Sequence, residues 1–259
     1  MDTIIEKIAL VTGVSRTTGI GFAICKQLLS EGYFIHAVYN SENSCEEDFA
    51  KFYPNQYKMH QVDFLDKEQR ITFIEEMKKE TFNVIVNNAG AFSNSEEGKY
   101  EELDSHYNVF EVNYFTPVAI SLGLFNSIVD KGVIINIAST DGLKGVFSSP
   151  SYAASKAALM NVTQTFANNF GYDKKIRVIA IAPGWVKTSD NMGEPEILEI
   201  GRQLTPMERF AEPKEIADFV SYLISDKATF ITGSTQIIDG GLTGVDYTML
   251  RESGRTIRE

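Results

Sequence analysis

Ile8-Ala9-Leu10-Val11-Thr12-Gly13-Val14-Ser15-Arg16-Thr17-Thr18-Gly19-Ile20-Gly21 is the stretch on which the reading of this chain turns. A short apolar run of strand length enters a glycine-bearing turn, and a helical pattern begins at its far end. Glycines at such a place let the backbone approach a pyrophosphate, while the helix N-terminus offers free N–H groups and a positive dipole end. Tight turns of any purpose use glycine, so the cluster draws its meaning from lying between strand and helix. The same alternation continues along the chain. Strands are expected at 8–11, 34–39, 58–62, 84–87, 133–137, 177–182 and 235–238, and helices near 20–31, 45–53, 66–79, 105–130, 151–170 and 213–225. The strand runs are nearly continuous in Val, Ile and Ala, as when helices cover both faces of a sheet. Repeated βα units with parallel strands imply an α/β architecture, a doubly wound parallel sheet. Pro117 falls within the fourth helical pattern and should kink it. No repeat and no linker divides the chain, so residues 1–259 are read as one domain, with 184–206 as a substrate loop and 244–259 as a C-terminal tail.

Composition narrows the function classes. The 24 basic and 35 acidic side chains give a net charge of −11, which repels a nucleic-acid backbone. No apolar run approaches the roughly 20 residues of a membrane span, and the acidic start Met1-Asp2-Thr3 is unlike a signal peptide. Cys25 and Cys45 make no disulfide framework. His36, His60 and His106 are scattered, so no metal site is expected. These features suit a cytoplasmic protein without nucleic-acid or membrane partners.

The end of the second strand bears on which nucleotide is bound. NAD binding usually places an acid there to hold the ribose 2′-hydroxyl. Here the chain reads Tyr39-Asn40-Ser41, neutral donors, and Arg16 in the glycine turn offers a guanidinium fork for a 2′-phosphate. NADP (NADPH) is therefore expected, with Glu42 as the counterargument. Asp63 after the third strand is placed to accept from an adenine amine, or equally to cap a turn.

Tyr152 and Lys156, four apart in a helical stretch, share one face. A phenol titrates near ~10, and a neighbouring ammonium favours the phenolate. Ser139 ends a strand, where its hydroxyl can project over the sheet edge or simply close a turn. Asn113 lies in the preceding helix, where a buried amide could as well fix a kink.

Taken together, Thr12–Gly21, Asn87-Asn88-Ala89-Gly90, Asn113, Ser139, Tyr152-Ala153-Ala154-Ser155-Lys156, Pro183-Gly184 and the ending Phe230-Ile231-Thr232-Gly233 through Asp239-Gly240-Gly241 occur in an order and spacing that resembles the short-chain dehydrogenase/reductase family. The likeness spans roughly residues 6–243 and leans towards the branch of 3-oxoacyl-carrier-protein reductases. The resemblance implies a Rossmann fold and hydride transfer on a carbonyl or alcohol, which with the NADP expected above reads as reduction of a ketone to a secondary alcohol. Tyr152 would donate the proton, Ser139 would orient the carbonyl oxygen, and Lys156 would depress the Tyr152 pKa and hold the ribose. Asn113 would fix a water leading to Lys156. The cofactor would meet Gly13, Ser15, Arg16, Gly19, Ile20, Gly21, Asn40, Ser41, Asp63, Asn88, Ala89, Gly90, Pro183, Gly184, Val186 and Thr188. The family also implies a homotetramer or homodimer paired through the fourth and fifth long helices. One departure is plain: five residues separate Gly13 from Gly19, where the family usually has three.

For the substrate, Phe92, Phe147, Trp185 and Met192 are candidates for an apolar wall, though each suits a core equally. Glu96, Glu97, Glu101 and Glu102 follow the fourth strand, and Lys131 is the sole basic residue of 120–132. If that acidic segment is more than a solvated face, it disfavours an acidic carrier protein and admits neutral or cationic ketones, whether small molecules or modified-peptide intermediates. The alternative is a 3-oxoacyl-carrier-protein reductase of fatty-acid synthesis. A non-catalytic NADP sensor is the remote one, for it would not need Ser139, Tyr152 and Lys156 together.

Overall fold

Strand β1 (Lys7–Thr12) alternates its side chains between two hydrophobic cores, Ala9 and Val11 entering one and Leu10 the other. Both of its faces are therefore covered, and β1 pairs in parallel with β2 (Tyr33–Tyr39) on one edge and β4 (Phe82–Asn87) on the other, which sets it mid-sheet. The computed structural model describes residues 7–41, 43–92, 103–146, 150–188 and 195–245. With β3 (Tyr57–Gln61), β5 (Ile128–Ile137), β6 (Arg177–Pro183) and β7 (Thr235–Ile238), the sheet runs β3-β2-β1-β4-β5-β6-β7, and every pairing is parallel. The winding direction reverses between β1 and β4, which opens a crevice beyond their carboxyl ends.

One face is covered by α1 (Ile20–Ser30), α2 (Glu46–Phe52) and α8 (Pro213–Ile224), which contribute Ile24, Leu28, Phe49, Val220 and Leu223 to its core. The other carries α3 (Lys67–Met77), α5 (Thr116–Gly123) and α6 (Pro150–Lys174), whose Phe73, Met77, Ile120 and Phe166 pack on Leu10, Ile85, Ile134 and Val178. The doubly wound α/β sheet and the single domain are thus as the sequence predicts.

The helix expected over 105–130 is instead three pieces and the start of a strand. α4 (Leu103–Phe110) leads into a π-helical turn, Glu111–Phe115, then α5, and β5 has begun by Ile128. Pro117 has no N–H for the carbonyl four residues back, and the wider turn just ahead of it absorbs the mismatch. Ile128 is buried opposite Phe82 in the sheet, so its apolar character belongs to a strand and not to a helix face. The segment 184–206 holds a helix, α7 (Pro195–Leu204), that was not foreseen there.

The three histidines form no common site. His36 and His60 are buried side by side on β2 and β3, with Nδ1 of one 3.0 Å from Nε2 of the other. Burial pushes His60 down to about 4 and lowers His36 from its ordinary value as well. His106 instead meets Ser151. Among the described residues no three His, Cys, Asp or Glu side chains are grouped as metal ligands. Nor is any helix among them long and apolar enough to cross a membrane.

Candidate active site

The glycine turn is tied to the end of β4. Thr12 Oγ1 accepts the N–H groups of Asn88 and Ala89, both at 3.0 Å. Asn88 Nδ2 donates to the carbonyls of Thr12 and Gly13 at 2.9 and 3.1 Å. Gly13 has φ +76°, and a Cβ there would lie 2.7 Å from Ala89 Cα, so only glycine lets the turn and the β4 end approach so closely. The two extra residues of the turn are braced from the segment after β2. Ser44 Oγ accepts the Thr17 N–H at 3.3 Å and lies 3.2 Å from the Ser15 carbonyl, to which it donates. Gly19 N–H closes the loop on the Arg16 carbonyl at 3.0 Å. The longer turn therefore keeps its helix start and gains a brace. Thr12 opens the glycine motif of the sequence, which gives no hint of its bonds to the β4 end, and Ser44 carries no local signal at all.

α6 places Tyr152 and Lys156 on one face. Lys156 is almost wholly buried, and its Nζ donates to the Ile137 carbonyl at 2.9 Å, 5.6 Å from the Tyr152 ring centroid. Burial lowers the ammonium to about 8. The Tyr152 phenol is held above its ordinary value, chiefly by its own burial and further by the charge of Asp141, while a hydrogen bond with Ser139 opposes both. The depression expected from Lys156 is thus not what this geometry gives. The lysine is turned onto a carbonyl, and desolvation of a nearly enclosed phenol outweighs the help it receives. Ser139 caps the short 3-10 turn Thr140–Leu143, its Oγ accepting the Asp141 N–H at 3.1 Å.

Asn113 sits fully buried in the π-helical turn. Its Oδ1 accepts from Ala91 N at 2.7 Å, and its Nδ2 donates to Ala91 O and Ser155 Oγ, both at 3.0 Å. It pins the chain leaving β4 to α6, a role in which Ser155 joins it without having been anticipated.

Gly13, Ser15, Arg16, Gly19, Ile20, Asn88, Gly90, Ser139, Tyr152, Lys156, Pro183, Gly184, Val186 and Thr188 line one cleft of about 940 Å³, together with Phe92 and Trp185. Asp141 and Val146 line it too, though neither belongs to a motif legible in the sequence. Gly21 faces inward, where a Cβ would come within 2.4 Å of the Gly13 carbonyl, so it supports the turn and does not line the cleft. Ala89 likewise acts through its backbone. Asn40 and Ser41 are exposed beyond β2, outside the cleft wall. Asp63 Oδ1 accepts the Leu65 N–H at 3.0 Å, the turn role that was its alternative. Phe92 leans on the Tyr152 ring with centroids 5.2 Å apart, and Trp185 stacks on Phe210 at 5.6 Å. Phe147, Met192 and Glu42, and the acidic Glu96, Glu97, Glu101 and Glu102, lie outside the described residues.

A family model described as enoyl-(acyl carrier protein) reductase matches residues 13–243. An acetoacetyl-CoA reductase of Acinetobacter is 34% identical over 249 residues, covering 92% of this chain and 98% of that protein. A 3-oxoacyl-[acyl-carrier-protein] reductase of Haemophilus influenzae is 31% identical over 241 residues, covering 91% and 98%. The chain belongs to the short-chain dehydrogenase/reductase family. Its solved neighbours agree. A short-chain dehydrogenase/reductase from Serratia marcescens superposes with TM-score 0.81 at 31% identity over 92% of this chain and 98% of its own. A 4-hydroxyisoleucine dehydrogenase complexed with NADH gives 0.82 at 29%, covering 93% and 100%, and a metagenomic blue fluorescent protein with NADPH gives 0.80 at 28%, covering 91% and 97%. Oxidoreductases of this family work with nicotinamide cofactors, and its neighbours here include both phosphorylated and unphosphorylated forms.

Proposed function

We propose that this short-chain dehydrogenase/reductase is an NADPH-dependent ketone reductase acting on small neutral or cationic molecules. The observation that carries it is the convergence of Ser139, Tyr152 and Lys156 on a cleft whose other end is floored by the glycine turn. A nicotinamide cofactor fits that floor, since Gly13 presents bare backbone beside the N-terminus of α1. Bound there, it supplies hydride to the carbonyl carbon. Tyr152 gives its proton to the carbonyl oxygen, Ser139 holds that oxygen by hydrogen bonding, and Lys156 binds the ribose hydroxyls. Phe92, Val146 and Trp185 exclude water from the reacting carbonyl. Asn113 acts as a positioning residue through Ala91 and Ser155. The same reading includes assembly as a homodimer or homotetramer through α4–α5 and α6, where Tyr107, Phe115 and Leu122 are exposed, and copy number is read by native mass.

The preference for NADPH rests on Arg16 lining the cleft and on the absence of an acid at Asn40 and Ser41. NADPH is expected to bind more tightly than NADH, and Arg16→Ala to erase about tenfold or more of that gap, as for one lost charge-assisted contact. Equal affinity for the two cofactors in the unmodified protein, measured by titration, removes the assignment.

A 3-oxoacyl carrier protein is the competing substrate, favoured by the name of the Haemophilus influenzae relative, whereas the Acinetobacter relative is named for acetoacetyl-CoA. The overall charge of −11 opposes an acidic carrier. The modified-peptide version of the substrate draws nothing from the relatives named above. In direct competition at low salt, small ketones are expected to outpace the carrier-bound thioester, with salt narrowing the difference. Efficient turnover of the thioester at low salt overturns this choice and leaves the Tyr152 chemistry standing.

A further inference from the structure

Two residues past Ser139 the chain places a carboxylate in the cleft. Asp141 lines the same wall as Ser139, Tyr152 and Phe92 and is only partly exposed. Its backbone N–H is held by Ser139 Oγ at 3.1 Å, which fixes the residue within the 3-10 turn beside the phenol. Among the described residues nothing donates a hydrogen bond to its carboxylate. Lys144, exposed at the end of that turn, attracts it, but burial outweighs this and holds the carboxyl above its ordinary range. The Asp141 charge in turn pushes the Tyr152 phenol up. An acid so placed works against a group that must give up its proton, unless something bound in the cleft offsets the charge. Phe92 lies against Tyr152 with ring centroids 5.2 Å apart and lines the same cleft as Asp141, and an ion pair beside such apolar surface is stronger than in water.

We propose that Asp141 reads the substrate, and that the ketone this cleft takes carries a protonated amine a few bonds from its carbonyl. The ammonium donates to the carboxylate and cancels its charge beside Tyr152, so the correct substrate also eases the proton transfer. A neutral hydroxyl offers a donor without the charge, and charge-assisted bonds are about twice as strong. The net charge of −11 adds a long-range attraction for cations. This inference rests on the ketone-reductase reading above.

The test uses the full chain with saturating NADPH, repeated with NADH, near neutral pH. The substrates are aminoacetone, hydroxyacetone and butanone. Aminoacetone is expected to show kcat/KM roughly tenfold or more above butanone, with hydroxyacetone between them, and Asp141→Asn to bring the aminoacetone-to-butanone ratio close to one. A second measurement needs no variant: 1-amino-2-propanol should bind the unmodified holoenzyme about tenfold more tightly than 2-butanol by calorimetry. Equal kcat/KM for aminoacetone and butanone, a ratio unchanged in Asp141→Asn, or hydroxyacetone as the best of the three overturns the proposal. If no ketone is reduced at all, the ketone-reductase reading falls, and the two alcohols still decide the role of Asp141: equal binding refutes it, preferential binding of the amine upholds it.

Discussion

Tyr152→Phe is expected to lower kcat/KM for a ketone by at least ~100-fold, the scale of lost general acid catalysis, while the fold and cofactor affinity persist. The change removes one hydroxyl and keeps the ring that packs against Phe92 with centroids 5.2 Å apart. It also leaves Lys156 on its carbonyl at Ile137 and Ser139 on the Asp141 N–H. What disappears is the one acidic proton in the cleft that faces the Ser139 hydroxyl. Steady-state rates beside a cofactor titration separate the two effects. Turnover of the phenylalanine variant within about tenfold of the unmodified protein would take Tyr152 out of the chemistry.

The second large effect is expected at Gly13. Alanine there must hold φ +76°, at a cost of about 1–3 kcal/mol for a non-glycine residue. Its Cβ would also meet Ala89 Cα at 2.7 Å and Asn88 Nδ2 at 2.8 Å. Neither neighbour can swing away cheaply. One is backbone, and the other is held by the carbonyls of Thr12 and Gly13. The turn must therefore shift from the β4 end, and a displacement near 1 Å at a positioning element costs on the order of 100-fold. Gly13→Ala is expected to lose kcat/KM by about that factor, to bind the nicotinamide cofactor more weakly and to unfold at lower denaturant. Gly145→Ala is the control, since a Cβ there meets nothing within 4 Å and its φ is not positive. Unchanged cofactor affinity in Gly13→Ala refutes the role given to this close approach.

Much of this was legible beforehand because periodicity survives folding. Leu10 and Val11 point to opposite cores because a strand alternates its side chains, and such apolar runs recur between helical patterns, so the succession of strands and helices and the doubly wound sheet could be read directly. The break at Asn113–Pro117 was legible as a disruption, since proline lacks a donor, but not as a π-helical turn. The end of the fourth helix was misread because Ile128 and Val129 suit a helix face and a strand equally well, and only pairing with β4 decides between them.

The site divides in the same way. Sequence alone was enough to single out Ser139, Tyr152 and Lys156, the residues the proposed chemistry calls on, and the structure brings them to one cleft with the glycine turn. Which groups act on those residues came only from tertiary structure. Ser44 reaches the lengthened turn across 27 positions, and Asn113 reaches Ser155 across 42, so no local pattern announces either contact. The direction of the Tyr152 shift was likewise hidden. A tyrosine four residues from a lysine suggests a lowered pKa, but desolvation depends on everything that encloses the phenol. Here enclosure and the Asp141 carboxylate outweigh the hydrogen bond from Ser139. Spacing along a chain determines which side chains share a face; burial and charge at the site depend on segments far apart in sequence, and only folding brings those together.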